Sequence, residues 1–186
     1  MDYKPRKCGQ NDGRMGILDD LLQRVRNVNN GLQSGSIVRP VVMLHATDIL
    51  DLQREQLFEG KASSGEDIRP YYSEDLKPSG YFYSVESAGR YAAWKLSGIN
   101  YPYSAQNRNP DAPNLYITGK FHDEIGVEFG SDSVGIVGTT PFAKQIIAKY
   151  GIRTFGLMPV RWSQIFTQKG GYEQLMSFIK LQLYVY

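Results

Sequence analysis

Cysteine is almost missing from this 186-residue chain, where Cys8 stands alone. A single thiol excludes an internal disulfide and any cysteine-based zinc site, and no histidine lies near Cys8 to activate it as a nucleophile. Histidine is nearly as scarce, with only His45 and His122. Long apolar runs are lacking too: none approaches the ~18 residues that crossing a bilayer takes. The first residues, MDYKPRKCGQNDGR, hold no apolar stretch of the signal-peptide kind, so the expected setting is a cytoplasm-like compartment or an assembly built there. Charge of one sign is also lacking. The formal net charge is +2, from 21 basic and 19 acidic residues, well short of the basic excess of a phosphate-binding surface. No G-x-S-x-G nucleophile elbow and no G-x-G-x-x-G are present, and Gly119-Lys120 runs into Phe121 where a phosphate loop needs a hydroxyl. Internal repeats and low-complexity segments are missing as well.

Hydrophobic residues at 41% and charged residues at 22% are ordinary for a globular chain, and the length suits one domain or a smaller domain with arms. The most legible stretch runs from Asn114 to Leu157. Ile125-Val127-Phe129 and Val134-Ile136 alternate about Gly130-Ser131-Asp132-Ser133, which predicts a hairpin. Leu115 to Thr118 reads as a third strand. A helix is expected from Thr139-Thr140-Pro141 to Tyr150, closed by Gly151.

Around this core, residues 1–14 read as a polar arm. Met15 to Asn29 predicts a first helix, with Ile17, Leu18, Leu21, Leu22, Val25 and Val28 at three- and four-residue spacing and Gly31 just past its end. Ile37 to Leu44, interrupted by Pro40, reads as an edge strand or extended arm. A helix from Ala46 or Thr47 to before Gly60 follows, with Thr47 as its expected cap. Residues 60–81 and 99–113 are long polar connections flanking a helix from about Val85 to Gly98. Pro159–Gln168 and Tyr172–Leu183 are the last two helices. The thirteen tyrosines suit either a core edge or a protein–protein contact.

Candidates for chemistry are few. His122-Asp123-Glu124 has the composition of a metal or acid–base cluster, but consecutive strand residues point to alternate faces and no companion ligand stands at helical spacing. A solvated strand start is the better reading. His45 reads as a capping or packed residue. Glu55, Glu59, Asp123, Glu124 and Glu128 show no paired constellation in the sequence.

Leu115-Tyr116-Ile117-Thr118-Gly119-Lys120-Phe121 resembles the strand and Thr-Gly step of head–tail joining and tail-completion proteins of tailed phages. In that group a hairpin and a helix ending in an aromatic-Gly pair come next, as Tyr150-Gly151 and Phe155-Gly156-Leu157 do here. Upstream, Gln56-Leu57-Phe58-Glu59-Gly60, then Gly65 and Tyr71-Tyr72-Ser73, is similar to the Gln-Leu-aromatic-x-Gly corner of members from phages of gut bacteria. Lys95 matches their lysine-containing helix. The resemblance spans roughly residues 50–160; the first 45 residues, the insert 79–91 and the loop 99–113 have no place in it.

The resemblance implies a structural virion protein: a neck or tail-completion subunit forming a ring between portal and tail, assembled in the bacterial host. It implies no enzymatic activity, no cofactor and no metal, and partners that are further copies, the portal and other neck or tail proteins. It involves no membrane and no sequence-specific nucleic acid, although DNA passes through such a lumen. Its assembly residues fall on Gln56, Leu57, Gly60, Thr118, Gly119, Phe121, Tyr150, Gly151, Phe155, Gly156 and Leu157. The expected fold is α+β, a small antiparallel sheet at about 115–137 packed by helices. The expected division is an N-terminal arm and helix over 1–45 and a core over 46–186. A small sheet with one covering helix leaves an edge that neighbouring copies can satisfy. The alternatives are a small metal-dependent hydrolase centred on His122, Asp123 and Glu124, or a regulatory binding module.

Overall fold

The apolar spacing that predicts the first helix continues past Asn29, and α1 runs Ile17–Gln33. Gly31 therefore lies inside the helix and not beyond it. A Cβ there would come within 2.6 Å of Ile37, so glycine lets the next segment fold closely against α1. The computed structural model describes residues 16–75, 82–97, 109–130, 133–141 and 143–184. The arm 1–14, much of the 99–113 connection and the end of the 60–81 loop lie outside them.

Residues 38–44 correct the expectation of an edge strand, because they form the short helix α2, Val38–Leu44. Pro40 sits in its first turn, where backbone N–H groups have no intrahelical acceptor and a missing donor costs nothing. Helix α3, Ala46–Phe58, follows directly. His45 occupies its N-cap position, so Thr47 lies within the helix and does not cap it. The buried His45 ring joins Asp48 through Nδ1 at 2.8 Å. Helix α4, Val85–Leu96, opens with a capping box in which Ser84 and Ser87 serve each other's backbone N–H.

The expected third strand is absent: 115–118 is irregular, and the sheet among the described residues has two strands, β1 Ile125–Phe129 and β2 Val134–Gly138. Leu115 adopts φ +55, which breaks an extended run, and side chains take the groups a neighbouring strand would use. Tyr116 N–H donates to the Asn114 side chain at 3.2 Å and the Tyr116 carbonyl accepts from Lys95. The antiparallel hairpin itself forms as the alternation predicts, with Ile125 opposite Gly138, Val127 opposite Ile136 and Phe129 opposite Val134. Residues 120–123 form the single-turn helix α5, Lys120–Asp123, and not a strand start.

Helix α6, Ala143–Tyr150, ends at Gly151 with φ +85, as the sequence leads one to expect. A 3-10 turn, Ile152–Thr154, leads to α7, Pro159–Thr167, and α8, Gly171–Tyr184. The architecture is α+β: helices packed on a small antiparallel sheet. Two apolar clusters make the core. One joins Val42, Ile49 and Leu52 to Leu157 and Ile165; the other joins Leu57 and Ile68 to Phe121, Ile125 and Phe155. Ile136 of β2 packs against both, so the hairpin is the seam between them.

Candidate functional site

Helix α3 presents Ile49, Leu52 and Leu57 inward, and on that same buried side stand two glutamines, Gln53 and Gln56, each fully buried. An amide placed there must meet hydrogen-bond partners or forfeit its solvation. It meets backbone. Gln53 donates to the Thr154 carbonyl at 3.2 Å and accepts from Gly156 N–H at 3.0 Å. Gln56 donates to the Gly156 carbonyl at 2.9 Å and accepts from Met158 N–H at 2.8 Å. Side-chain amides one helical turn apart thus pair with alternate residues of an extended segment, as a neighbouring strand would. Gly156, at φ +108, lets that segment pass the Ser63 side chain.

A second polar centre forms around Asn114, which is also fully buried. Its Oδ1 accepts from Tyr72 Oη at 3.0 Å, from Lys95 Nζ at 3.2 Å and from Tyr116 N–H at 3.2 Å. Its own N–H donates to Tyr72 Oη at 3.0 Å, and its carbonyl receives His122 Nε2 at 2.9 Å. Lys95, fully buried on α4, also donates to the Tyr116 carbonyl and lies 5.4–6.0 Å from the ring centres of Trp94, Tyr91 and Tyr116.

His122 corrects the sequence reading of a solvated residue. It is buried, its ring 4.6 Å from that of Phe58 and 5.5 Å from that of Tyr116. Because a carbonyl only accepts, Nε2 carries the proton and the ring is neutral. Burial pushes the imidazole down from its ordinary 6.5 to about 4, against the opposing pull of the Asn114 carbonyl. The unfolded chain therefore binds this proton more readily than the folded one. The stability held by neutral His122 is complete above about pH 6.5 and is lost as pH falls toward 4, a change of about 3 kcal/mol. Denaturant titrations from pH 7 to 4 should show this slope, and His122→Gln should flatten it.

The three residues of the metal or acid–base candidate do not gather. His122 points into the core while Asp123 is exposed, and no group of three or more metal-ligating side chains forms among the described residues. Glu55 and Glu59, scattered in the sequence reading, are brought together by Arg161, at 3.2 and 2.6 Å, and tie α3 to α7. Asp67 anchors the start of the 60–81 loop. Hydrogen bonds from Lys61 at 2.6 Å, Asn109 at 2.9 Å and Tyr71 at 2.9 Å hold its carboxyl down at about 2.

The residues carried by the resemblance fall on this framework. Leu57, Phe121 and Phe155 share one core cluster and Leu157 belongs to the other. Gly119, at φ +86, caps α5, and Thr118 Oγ1 accepts from Lys120 N–H at 3.4 Å. Tyr150 is held above its ordinary value by burial and by Asp75. Gly60, at φ +72, is the tightest corner: a Cβ would meet that of Ala112 at 2.7 Å. Gly60→Ala should cost about 2–3 kcal/mol, read as a lowered melting temperature. Tyr150, Thr118, Gly119 and Phe121 also line a cleft of about 270 Å³ between α4, the 113–121 segment and α6.

Sequence reasoning missed Asn114, Gln53 and the burial of His122. For the glutamines a signal was there: two amides at i and i+3 on an otherwise apolar helix face. For Asn114 there was none, since one asparagine beside a proline reads as a turn.

The geometry defines an α+β scaffold tied by buried polar clamps. No family model, curated protein or solved structure matches the chain.

Proposed function

We propose that the chain is a structural virion protein of a tailed phage, a neck or tail-completion subunit that forms a ring between portal and tail. The observation that carries this reading is the convergence of short motifs set far apart in sequence. Gln56 of the Gln-Leu-aromatic-x-Gly corner grips the backbone of Phe155-Gly156-Leu157 and its neighbours, across 100 residues. Leu57 of the same corner packs with Phe121, which follows Thr118-Gly119, and with Phe155. Lys95 reaches the segment that leads into Thr118-Gly119. Motifs whose order alone suggested a relationship thus serve one rigid body, as a subunit that transmits no chemistry and must hold its shape requires. A long amphipathic α1 whose first turns stand in solvent adds a surface suited to neighbours.

The test is assembly. Purified protein alone, and mixed with the portal of the same phage, is measured by mass photometry and electron microscopy. Rings, free or seated on the portal, are the expected result. A protein that stays a single subunit at every concentration and does not bind the portal overturns the reading.

A further inference from the structure

Two unpartnered apolar features lie on separate parts of the molecule. The first is the outer face of α1. Ile17 is 92% exposed and Leu18 68%, and Leu21, Leu22 and Val25 are about half exposed. Together they present on the order of 500 Å² of apolar surface, at the upper end of what a lone subunit shows and a large part of the ~800 Å² each partner gives to a stable contact. The second is the cleft between α4 and α6, whose walls include Tyr91, Leu115, Ile117 and Ile146. None of its lining residues comes from α1, α2 or α8, the helices of the first face. The helix therefore does not fill its own cleft.

From these features we infer that the first two turns of α1 of one copy seat in the α4–α6 cleft of the next. The inference rests on the ring reading and names the contact that closes the ring. Size fits: at roughly 30 Å³ per carbon-sized group, an aliphatic side chain of four carbons takes a little over 100 Å³, so about 270 Å³ receives about two, such as Leu18 and Leu21. Charge fits as well. Asp19 and Asp20 stand in the first turn of α1, whereas Lys120 and Lys149 stand at the rim of the cleft. Lys149 is paired with Asp75, but Lys120 is largely exposed and only 3.7 Å from Glu124, so it is available to an incoming carboxylate. With two acidic and two basic residues, α1 has no net charge, unlike the basic helices that lie on anionic membranes. A helix on one surface and a cleft on another make a head-to-tail contact, the kind that closes into rings.

The experiment compares the full-length protein with variants of each surface, by sedimentation and mass photometry, with thermal melts to verify folding. Leu18→Glu with Leu21→Glu removes the helix face, and Ile117→Glu fouls the cleft; all three residues are exposed in the single subunit. Each variant alone should associate at least tenfold more weakly than wild type. Mixed, the two should form one-to-one dimers that grow no further, because one keeps an intact cleft and the other an intact helix. Asp19→Lys and Lys120→Glu should each weaken association, and the double variant should restore it. Wild-type rings that survive all these changes overturn this contact and leave the ring reading standing. So does loss with the helix variant alone, the mark of a two-fold helix pair. A wild type that never assembles overturns both.

Discussion

Asn114→Leu should lower the unfolding free energy by about 3–5 kcal/mol, the range for stripping a partner from a buried cation. The side chain it replaces is fully buried and similar in volume, so packing changes little and the loss is polar. Three donors point at Asn114 Oδ1: the Tyr72 hydroxyl, the Lys95 amine and the Tyr116 N–H. Leucine offers them nothing. The Lys95 cation then has fewer oxygens around it in a site that water does not reach, and that is the largest part of the cost. Urea denaturation at pH 7 measures it. Lys95→Met in the same background should recover part of the loss, because it removes the cation that leucine cannot serve. A double variant no more stable than Asn114→Leu would show that the cation is not the cause.

Replacing both glutamines of α3 by leucine should cost about 4 kcal/mol, since four hydrogen bonds at about 1 kcal/mol each are removed from a buried segment. Gln53 and Gln56 are neighbours sharing Gly156, so their single changes should not add simply. Gln56→Glu separates the two halves of the amide. It keeps an acceptor for Met158 N–H and denies a donor to the Gly156 carbonyl, so it should lie between wild type and Gln56→Leu. Hydrogen exchange adds a local readout: the Gly156 and Met158 amides should lose protection well before those of β1 and β2. An unchanged melting temperature in the double leucine variant would count against the clamp.

The parts of this fold legible in sequence were those governed by local periodicity. The hairpin follows from alternating Ile125, Val127 and Phe129, and the end of α6 follows from Gly151, because each signal spans a few residues. The misreadings share one cause. At 37–44 a proline was weighed without knowing its place in the turn, and at 115–118 an apolar alternation was weighed without Asn114 and Lys95, which take up the backbone groups a strand needs. His122 illustrates the same limit for the candidate site. Its sequence neighbours are acidic and basic, yet its spatial neighbours are Phe58, Tyr116 and the Asn114 carbonyl. Composition near a residue in the chain says little of what surrounds it once distant segments meet.

The glutamine clamp also bears on how the chain's length can vary. Each of its bonds joins residues 100 to 103 apart, so it fastens both ends of one very large loop. The entropy of closing such a loop grows only with the logarithm of its length, and doubling it costs about 0.6 kcal/mol. Segments within the loop that lie away from the clamps can therefore gain or lose many residues while the body stays shut. A scaffold fastened in this way can be refitted to a differently shaped neighbour by changing its loops alone.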